Sequence, residues 1–371
     1  MSLTAQWLPL ALAGVQGLAP LAARSSHALA VLGDKAYIFG GELKPRTPIG
    51  DELLVLDLAG AAPRVLSRSS APWPAPRVGA TLVSHLPSRS LYLWGGRGGK
   101  DMAPLAMRAG ASAAAREAGE EDVWQFDTRS EQWQLLATGE GAPSGRSYHA
   151  ATVAGDTMYI HAGCPTKGRL ETLHALDLNS LRWKQCADAP APGRGGTAIA
   201  AVRSPAGGSD VLLRWGGFAG YELGGPLDVY DVQANAWTSH AAPLNDADGE
   251  PRKRSVHGFV PLPPGFSRSA EQDAIALLFF GEGEGAPAEL GHDGAGKFLD
   301  DVFVLLRSAS GTYAFQAVQT DGTLPQARGW FASGVASGAQ GNTSVVLHGG
   351  LNEHNERLAD AWKLELRASG A

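Results

Sequence analysis

The sequence predicts an all-β protein, a β-propeller of six blades around a central channel. Three observations lead to this fold class. One sequence unit recurs six times along the 371-residue chain. The complete units contain four short segments with the composition of β-strands, and turn residues separate these segments. Glycine (48 residues) and proline (23 residues) are abundant without a collagen-like period, which indicates many turns.

Each unit opens with an arginine, often followed by a histidine. The six openings are Arg24-Ser-Ser-His27, Arg77-Val-Gly79, Arg146-Ser-Tyr-His149, Arg194-Gly-Gly196, Arg254-Ser-Val-His257 and Arg328-Gly-Trp330. Two apolar segments follow, and the second ends in small residues, as in Phe39-Gly-Gly41, Trp94-Gly-Gly96, Ala162-Gly163, Trp215-Gly-Gly217, Gly281-Glu-Gly283 and His348-Gly-Gly350. Because glycine has no side chain, we expect these doublets to let neighbouring blades approach each other closely.

The third and fourth segments complete a blade. The third follows an acidic residue and alternates, as in Asp51-Glu-Leu-Leu-Val-Leu-Asp57, and the fourth usually contains a tryptophan: Trp133, Trp183 or Trp237. The repeat spacing is close to the period of about 50 residues that is typical of kelch repeats. The units therefore predict the blades of a kelch β-propeller.

The ends of the chain are expected to meet in one blade. The sixth unit has only three strands before the chain ends at Ala371, and Gln6-Trp7-Leu8 precedes Arg24 as Trp133 precedes Arg146. The N-terminal strand is therefore predicted to complete the last blade and close the ring. The alternative, a signal peptide over residues 7–23, lacks a basic start and contains two prolines.

A closed ring predicts a single kelch propeller domain over residues 1–371. Two insertions interrupt the repeat. Residues 97–120 follow the second doublet and are rich in alanine and glycine, which favours either a short helix or a mobile loop. Residues 261–273 form a second, turn-rich insertion within blade 5.

Composition excludes several classes of partner and compartment. The net charge of −6 argues against nucleic acid and against an anionic membrane as partners. No segment of the sequence reaches the length of a membrane-spanning helix. Two cysteines cannot form a disulfide framework, so a reducing compartment, the cytoplasm, is expected.

The repeat geometry predicts that one end of the channel carries the functional residues. Strands within a blade alternate in direction, so the opening arginines and the loops after the doublets meet at the same rim. The candidate substrate-binding residues at this rim are Arg24, Glu42, Arg146, Arg194, Phe218, Arg254 and Arg328. Several arginines together favour a small anionic ligand. The alternative is structural, since recurring arginines and histidines of propellers often tie blades together by hydrogen bonds.

The details of the blades resemble one family. The segment from Arg24 to Leu43, Gly95-Gly-Arg97 in blade 2, Arg194-Gly-Gly196 in blade 4 and Arg328-Gly-Trp330 in blade 6 resemble the plant specifier proteins in sequence and in blade order. This family comprises the nitrile-specifier, epithiospecifier and thiocyanate-forming proteins. Its members use ferrous iron to redirect the unstable, sulfate-bearing glucosinolate aglycone from isothiocyanate to nitriles, epithionitriles or thiocyanates.

The resemblance implies an Fe²⁺ site on the loop after the fifth doublet. The family motif there is Glu-x3-Asp-x3-His, and this sequence has Glu284 and His292 at the outer positions but Ala288 in the middle. The candidates for a third ligand are Glu289, Asp293 and Glu282. Two carboxylates and one imidazole suit ferrous iron. The alternative is that no metal binds and the loop is a solvated, glycine-rich turn.

Two further residues take catalytic roles by the same resemblance. Arg97 corresponds to the sulfate-binding arginine of the family, and Trp330 to an aromatic residue of its pocket. A guanidinium suits a sulfate, and an indole suits an apolar chain. The alternatives are an exposed Arg97 within the insertion and a Trp330 that merely packs between blades.

The predicted function is that of a specifier-like, Fe²⁺-dependent lyase or isomerase. It would direct the rearrangement or fragmentation of a small, anionic, sulfur-containing intermediate similar to the glucosinolate aglycone, as a monomer or a homodimer. One alternative is a kelch module that binds another protein on the same rim. Another is a metal-free propeller enzyme of a biosynthetic pathway.

Overall fold

The computed structural model describes most of the chain. The described residues are 3–10, 23–60, 62–68, 72–105, 123–138, 140–203, 210–241, 251–263, 267–269, 272–287, 289–290, 294–337 and 343–368. Within these ranges the regular elements are β-strands, apart from a two-residue 3₁₀ segment at residues 289–290. None is an α-helix. No helix that could span a membrane occurs among them.

The strands fall into the six predicted units. The chain begins with β1 (Leu3–Leu10). Units 1 and 2 contain β2 (Ala28–Leu32), β3 (Lys35–Phe39), β4 (Glu42–Lys44), β5 (Thr47–Pro48), β6 (Leu53–Asp57), β7 (Arg64–Leu66), β8 (Arg77–Val78), β9 (Thr81–His85), β10 (Ser90–Trp94), β11 (Arg97–Gly98), β12 (Ala103–Pro104), β13 (Val123–Asp127) and β14 (Gln132–Leu136). Units 3 and 4 contain β15 (Ala150–Ala154), β16 (Thr157–His161), β17 (Leu173–Asp177), β18 (Arg182–Gln185), β19 (Ala198–Val202), β20 (Val211–Trp215), β21 (Gly217–Phe218), β22 (Glu222–Leu223), β23 (Leu227–Asp231) and β24 (Ala236–His240).

Units 5 and 6 complete the chain. They contain β25 (Gly258–Pro261), β26 (Ser267–Ser269), β27 (Gln272–Phe279), β28 (Glu282–Glu284), β29 (Lys297–Phe298), β30 (Val302–Ser308), β31 (Tyr313–Ala317), β32 (Gln319–Gly322), β33 (Ala332–Ser337), β34 (Thr343–His348) and β35 (Ala361–Ala368).

Each unit forms one sheet, which we call blade 1 to blade 6; the pairs in the orders below are antiparallel except that of β1 with β32, which is parallel. The sheet orders are β2-β3-β6-β7, β9-β10-β13-β14, β15-β16-β17-β18, β19-β20-β23-β24 and β25-β27-β30-β31. In blade 6 the order is β33-β34-β35-β1-β32, and β1 runs antiparallel to β35, with Leu3 opposite Ala368. The first described strand of the chain thus supplies the fourth strand of the last blade. The prediction of an all-β kelch propeller is confirmed.

A circle of backbone hydrogen bonds joins the six blades at one mouth of the channel. The third residue of each opening motif donates its N–H to the carbonyl of its counterpart in the preceding blade, at 2.8–3.1 Å. The six residues, which we call the mouth ring, are Ser26, Gly79, Tyr148, Gly196, Val256 and Trp330. Ser26 bonds the Trp330 carbonyl, so the circle also connects blade 1 with blade 6.

The glycine doublets bring neighbouring blades together as the sequence predicts. Gly95 has a φ of 65°, and a Cβ atom there would lie 2.7 Å from the His149 ring and 2.9 Å from the Arg146 carbonyl. The next residue, Gly96, donates its N–H to that same carbonyl at 2.9 Å. Any side chain at Gly95 would therefore force blades 2 and 3 apart.

The hydrophobic core lies between adjacent sheets rather than in one centre. Tyr92 and Trp94 of blade 2 pack with Met158 and Ile160 of blade 3, for example. Trp7 of β1 is 1% exposed and stacks on Phe280, with ring centroids 5.5 Å apart. Strand β1 thus contributes side chains to the hydrophobic core between the last two blades. Residues 11–22 of the segment that resembles a signal peptide lie outside the described residues.

The insertions are partly within the described residues. Arg97 and Gly98 form β11, which pairs with β8 and β12, so the predicted insertion begins as part of a small rim sheet. Residues 106–122 lie outside the described part of the chain. In the second insertion, β26 pairs with the start of β27.

Candidate functional site

The arginines that open the units are buried between strands. Each donates from Nη1 to a carbonyl at the end of the second strand of its blade, as Arg328 does to Gly349 at 3.1 Å. Arg254 and Arg328 also pair with carboxylates, Asp301 and Asp360. The exposed fractions are 3% for Arg24, 1% for Arg146, 5% for Arg194, 0% for Arg254 and 0% for Arg328. These partners favour the structural alternative, and we leave the five arginines out of the proposed site.

A second circle of residues is joined by backbone bridges to the opening motifs next to the mouth ring. Five of them follow the doublets, while the sixth lies within Gly281-Glu-Gly283, and all six bridge to the residue after an opening arginine. They are Glu42, Arg97, Cys164, Phe218, Glu282 and Leu351. The predicted candidates Glu42 and Phe218 belong to this circle. In blade 5 the equivalent position is Glu282, whereas Glu284 lies two residues further out.

Two aromatic side chains of the mouth ring contact each other. Tyr148 and Trp330 are both partly exposed, and their ring centroids lie 5.3 Å apart at an interplanar angle of 85°. The first strands of the blades line a channel of about 270 Å³ with mainly apolar residues. Gly79 lies beside Tyr148, and a Cβ atom there would be 2.9 Å from the tyrosine ring. Trp330 is partly exposed, and its role in a ligand pocket stays a prediction.

Arg97 is held in a fixed orientation at the rim. Its Nε donates to Ser147 Oγ at 2.7 Å, Nη2 donates to the carbonyls of Cys164 and Pro165, and Nη1 donates to the Met102 carbonyl at 3.4 Å. These bonds use four of the five guanidinium hydrogens. Among the described residues Arg97 has no carboxylate partner. The exposed Arg97 of the structural alternative is not observed, since the side chain is half-buried.

Glu42 belongs to a polar network whose charge also acts on Tyr148. Its carboxylate accepts the Arg46 N–H at 2.7 Å and lies 3.6 Å from Arg357 Nη2. Burial raises the pKa of Glu42, while these donors oppose the shift. Burial raises the pKa of Tyr148 above its usual value, and the nearby charge of Glu42 acts in the same direction.

Two further carboxyl groups lie close together on blades 4 and 5. Glu282 is 8% exposed, and its Oε1 accepts the Gly296 N–H at 3.1 Å. Glu222 hydrogen-bonds Ser255, but its buried Oε2 has no partner among the described residues. Burial, together with the nearby charge of Glu282, raises the pKa of Glu222 to about 8. Glu222 is therefore mostly neutral at pH 7.

The predicted iron loop is described only in part. Glu284 is exposed and forms an ion pair with Lys297 at 2.8 Å, beside a cleft of about 620 Å³ that Glu353 and His354 also line. Glu289 is exposed. Three residues of the prediction, Ala288, His292 and Asp293, lie outside the described residues.

The comparisons with known proteins agree with the propeller. The family model of the KLHDC2/KLHL20/DRC7 Kelch-repeats domain matches residues 26–262, more than half of the chain. The chain belongs to this kelch-repeat family. The propeller is also similar in fold to the solved structure of YjhT, with a TM-score of 0.62 and 17% sequence identity over 91% of this chain and 94% of that one.

Relatives with curated names include one of full length. An N-(sulfonatooxy)prop-2-enimidothioate sulfolyase of Thlaspi arvense is 25% identical, and the alignment covers 99% of both chains. Acyl-CoA-binding domain-containing protein 4 of Arabidopsis thaliana is 29% identical over 65% of this chain but only 33% of its own length. The full-length similarity supports the resemblance to the kelch specifier proteins that the sequence indicates.

The described residues of this kelch propeller do not assemble the implied iron site. They contain no group of three histidine, cysteine, aspartate or glutamate side chains placed to hold a metal. Glu284 is engaged by Lys297, and Glu282 by Gly296. Fe²⁺ therefore stays a prediction, and we derive no chemical step from it.

Anaerobic titration with Fe²⁺ tests this prediction directly. If Glu284 and His292 are ligands, the Glu284→Ala, His292→Ala double variant should lose the uptake that the wild type shows. Ala288→Asp should then tighten binding at least tenfold, about 1.4 kcal/mol, because it restores the missing carboxylate. Equal and negligible uptake by the wild type and the double variant would contradict the prediction.

Sequence reasoning missed Tyr148 and Glu222. Tyr148 occupies the same position in its unit as Trp330, so the repeat alignment itself contained the signal. Glu222 had no such signal, because its proximity to Glu282 depends on how the β21–β22 hairpin lies against β28.

Proposed function

We propose that the protein is a specifier-like enzyme, a lyase or isomerase that acts on a small, anionic, sulfur-containing intermediate. The relative that is similar over its full length is named for a substrate with a sulfonatooxy group. The proposal places the corresponding anionic group of the substrate at Arg97, and the remainder of the substrate against Tyr148 and Trp330.

One observation carries the proposal: Arg97 is a half-buried cation at the rim without a carboxylate partner among the described residues. Its charge acts close to the aromatic pair, since it lowers the pKa of Tyr148 against the larger effect of burial. Four acceptors fix the guanidinium, so the remaining Nη1 hydrogen is oriented in advance. Such preorganisation strengthens binding, because little entropy is lost when a sulfate oxygen accepts that hydrogen bond.

The neighbouring carboxyl groups are compatible with an anionic ligand. Glu42 and Glu282 are engaged by their own donors, which disperse their charge. Glu222 is mostly neutral at pH 7 because of its raised pKa of about 8. The rim therefore carries less negative charge than its three glutamates suggest. Tyr148 and Trp330 offer a partly exposed aromatic surface that suits an apolar chain.

The proposed chemistry is positioning. Arg97 would hold the anionic leaving group, and the aromatic pair would fix the conformation of the apolar part, so that one rearrangement is favoured over the spontaneous one. Within the family that the sequence resembles, Fe²⁺ supplies Lewis-acid chemistry. Glu284 and His292 are the residues that would hold it here, and their role depends on the titration described above.

A product assay with N-(sulfonatooxy)prop-2-enimidothioate tests the proposal. The wild type, with added Fe²⁺, should divert part of this compound from isothiocyanate to a nitrile, epithionitrile or thiocyanate. Arg97→Met and Trp330→Ala should each lower the diverted fraction at least tenfold, about 1.4 kcal/mol.

Arg203→Met is the control for the loss of a cation. Arg203 follows β19 at the end opposite the rim, and its side chain is 66% exposed, so this variant should keep the wild-type product ratio. Isothiocyanate as the sole product with the wild type would contradict the proposed function. Undiminished diversion by Arg97→Met would remove Arg97 from it.

A further inference from the structure

Tyr148 and Trp330 come from blades that lie opposite each other. The members of the mouth ring follow one another around the channel in the order Ser26, Gly79, Tyr148, Gly196, Val256 and Trp330. Tyr148 is the third member and Trp330 is the sixth, so they are equally far apart in both directions around the circle. Their ring centroids are nevertheless only 5.3 Å apart. Residues on opposite sides of a circle can make this contact only across its opening, so the two side chains extend over the end of the channel.

The smaller members of the mouth ring leave room for this contact. Gly79 and Gly196 have no side chain. A Cβ atom at Gly79 would lie 2.9 Å from the Tyr148 ring, and one at Gly196 would lie 2.9 Å from Cγ1 of Val256. The larger side chains of the ring thus extend into the space that the glycines leave, and they narrow the opening.

The channel begins directly behind this opening. Its lining starts three residues after each member of the mouth ring, as at Leu82 and Ala151, and three residues span at most ~10 Å. The lining contains no charged residue, and its polar side chains are the hydroxyl groups of Ser84, Thr152 and Ser333. Such a lining offers few partners to an anion and suits an apolar chain.

Arg97 lies on the other side of the mouth ring. It pairs with Val78, which precedes Gly79 in the chain, whereas the channel lining follows Gly79. Its Nε also donates to Oγ of Ser147, the residue before Tyr148, at 2.7 Å. An anion bound at Arg97 would therefore bring its apolar chain to the aromatic pair, and the pair stands between that chain and the channel.

We propose that Tyr148 and Trp330 form the floor of the ligand site, which closes the channel to the ligand and thereby limits the length of its apolar chain. The substrate class is then an anion with a short apolar chain, and Tyr148 is a residue that determines this specificity. The inference rests on the proposed function for the identity of the ligand, but the closed channel can be measured without a substrate.

Binding of octanol, measured by isothermal titration calorimetry, tests the closed channel. Tyr148→Gly removes one half of the floor and introduces the residue type that the mouth ring already has at Gly79 and Gly196, so the main-chain bonds should persist. This variant should bind octanol at least about tenfold more tightly than the wild type, because each methylene that leaves water contributes about fourfold in affinity. Tyr148→Phe keeps the aromatic ring and should bind octanol as weakly as the wild type. Tyr221→Gly is the control for the loss of a tyrosine, since Tyr221 is 59% exposed and does not line the channel.

Equal affinity of the wild type and Tyr148→Gly for octanol would overturn the inference, and so would an equal gain in Tyr148→Phe. If Tyr148→Gly does not fold, Trp330→Val removes the other half of the floor with the residue type that the mouth ring has at Val256. The same tenfold gain is then expected of Trp330→Val, and its absence would overturn the inference as well.

Octyl sulfate separates this inference from the proposed function. If Arg97 binds the anionic group, Tyr148→Gly should bind octyl sulfate more tightly than octanol, and the additional Arg97→Met substitution should abolish that difference. Equal binding of the two probes counts against Arg97 and the proposed function, while the octanol comparison still decides whether the floor closes the channel. A tighter octyl sulfate complex without any gain in octanol binding refutes the floor alone.

Discussion

Replacing Arg254 with methionine should lower the free energy of unfolding by about 4 kcal/mol. The Arg254 side chain is 0% exposed, and it donates to the carbonyls of Phe280 and Arg252 and to both oxygens of Asp301. Methionine fills similar space but satisfies none of these acceptors. Removing Arg254 is strongly destabilising, because the carbonyls lose their donor and Asp301, whose side chain is only 25% exposed, loses its ion-pair partner.

Denaturant unfolding followed by circular dichroism measures this loss, with Arg203→Met as the matched control. The control removes an arginine whose side chain is 66% exposed and whose ion pair with Asp210 spans 3.4 Å. Exposed ion pairs contribute little, so the control should cost less than about 0.5 kcal/mol. Similar losses in the two variants would show that Arg254 does not tie blade 5 together. Arg254 would then again be a candidate for ligand binding.

Replacing Glu222 with glutamine should stabilise the protein by about 2 kcal/mol at pH 8 and by almost nothing at pH 4. Burial raises the pKa of Glu222 from 4.5 to about 8, so between these values the folded state keeps a proton that the unfolded state has released. The wild type therefore loses stability as the pH rises through this window. Glutamine has no such proton and escapes the loss. We expect less stabilisation than the full shift of the Glu222 pKa implies, because the Glu222 side chain retains some contact with solvent.

The measurement is the free energy of unfolding of both proteins at intervals from pH 4 to pH 9. The difference between them should grow steadily between about pH 5 and pH 8 and then level off. Glu353→Gln changes an exposed carboxyl group, with a side chain that is 69% exposed, and should show no such trend. A difference between wild type and Glu222→Gln that does not vary with pH would mean that Glu222 is ionised in the fold at neutral pH.

The repeat made the blades predictable from the sequence. The opening arginines, the glycine doublets and the alternating third strands recur, so each unit supports the assignment of the others. The three-strand sixth unit and the apolar Gln6-Trp7-Leu8 together indicated where the chain ends meet, and β1 lies beside β35 as expected.

The rim was less predictable, because it depends on one-residue differences in register. Glu282 and Glu284 have the same composition around them in the sequence, yet one is buried with Gly296 and the other is exposed with Lys297. Alternation along a strand turns successive side chains in opposite directions, but β28 has a register shift between these two residues. The buried state of the opening arginines likewise depends on acceptors from the end of the second strand, which composition does not reveal.

The mouth ring uses only main-chain atoms to hold the blades together. Its hydrogen bonds therefore constrain the backbone of the six positions, with φ between 45° and 64°, and require no particular side chain, although a Cβ atom at Gly79 would crowd the Tyr148 ring. Serine, glycine, tyrosine, valine and tryptophan all occupy them in this one chain. Side chains at the channel entrance can therefore be substituted while the main-chain hydrogen bonds between the blades are kept. The same scaffold can then come to bind different small molecules without a prior gain in stability.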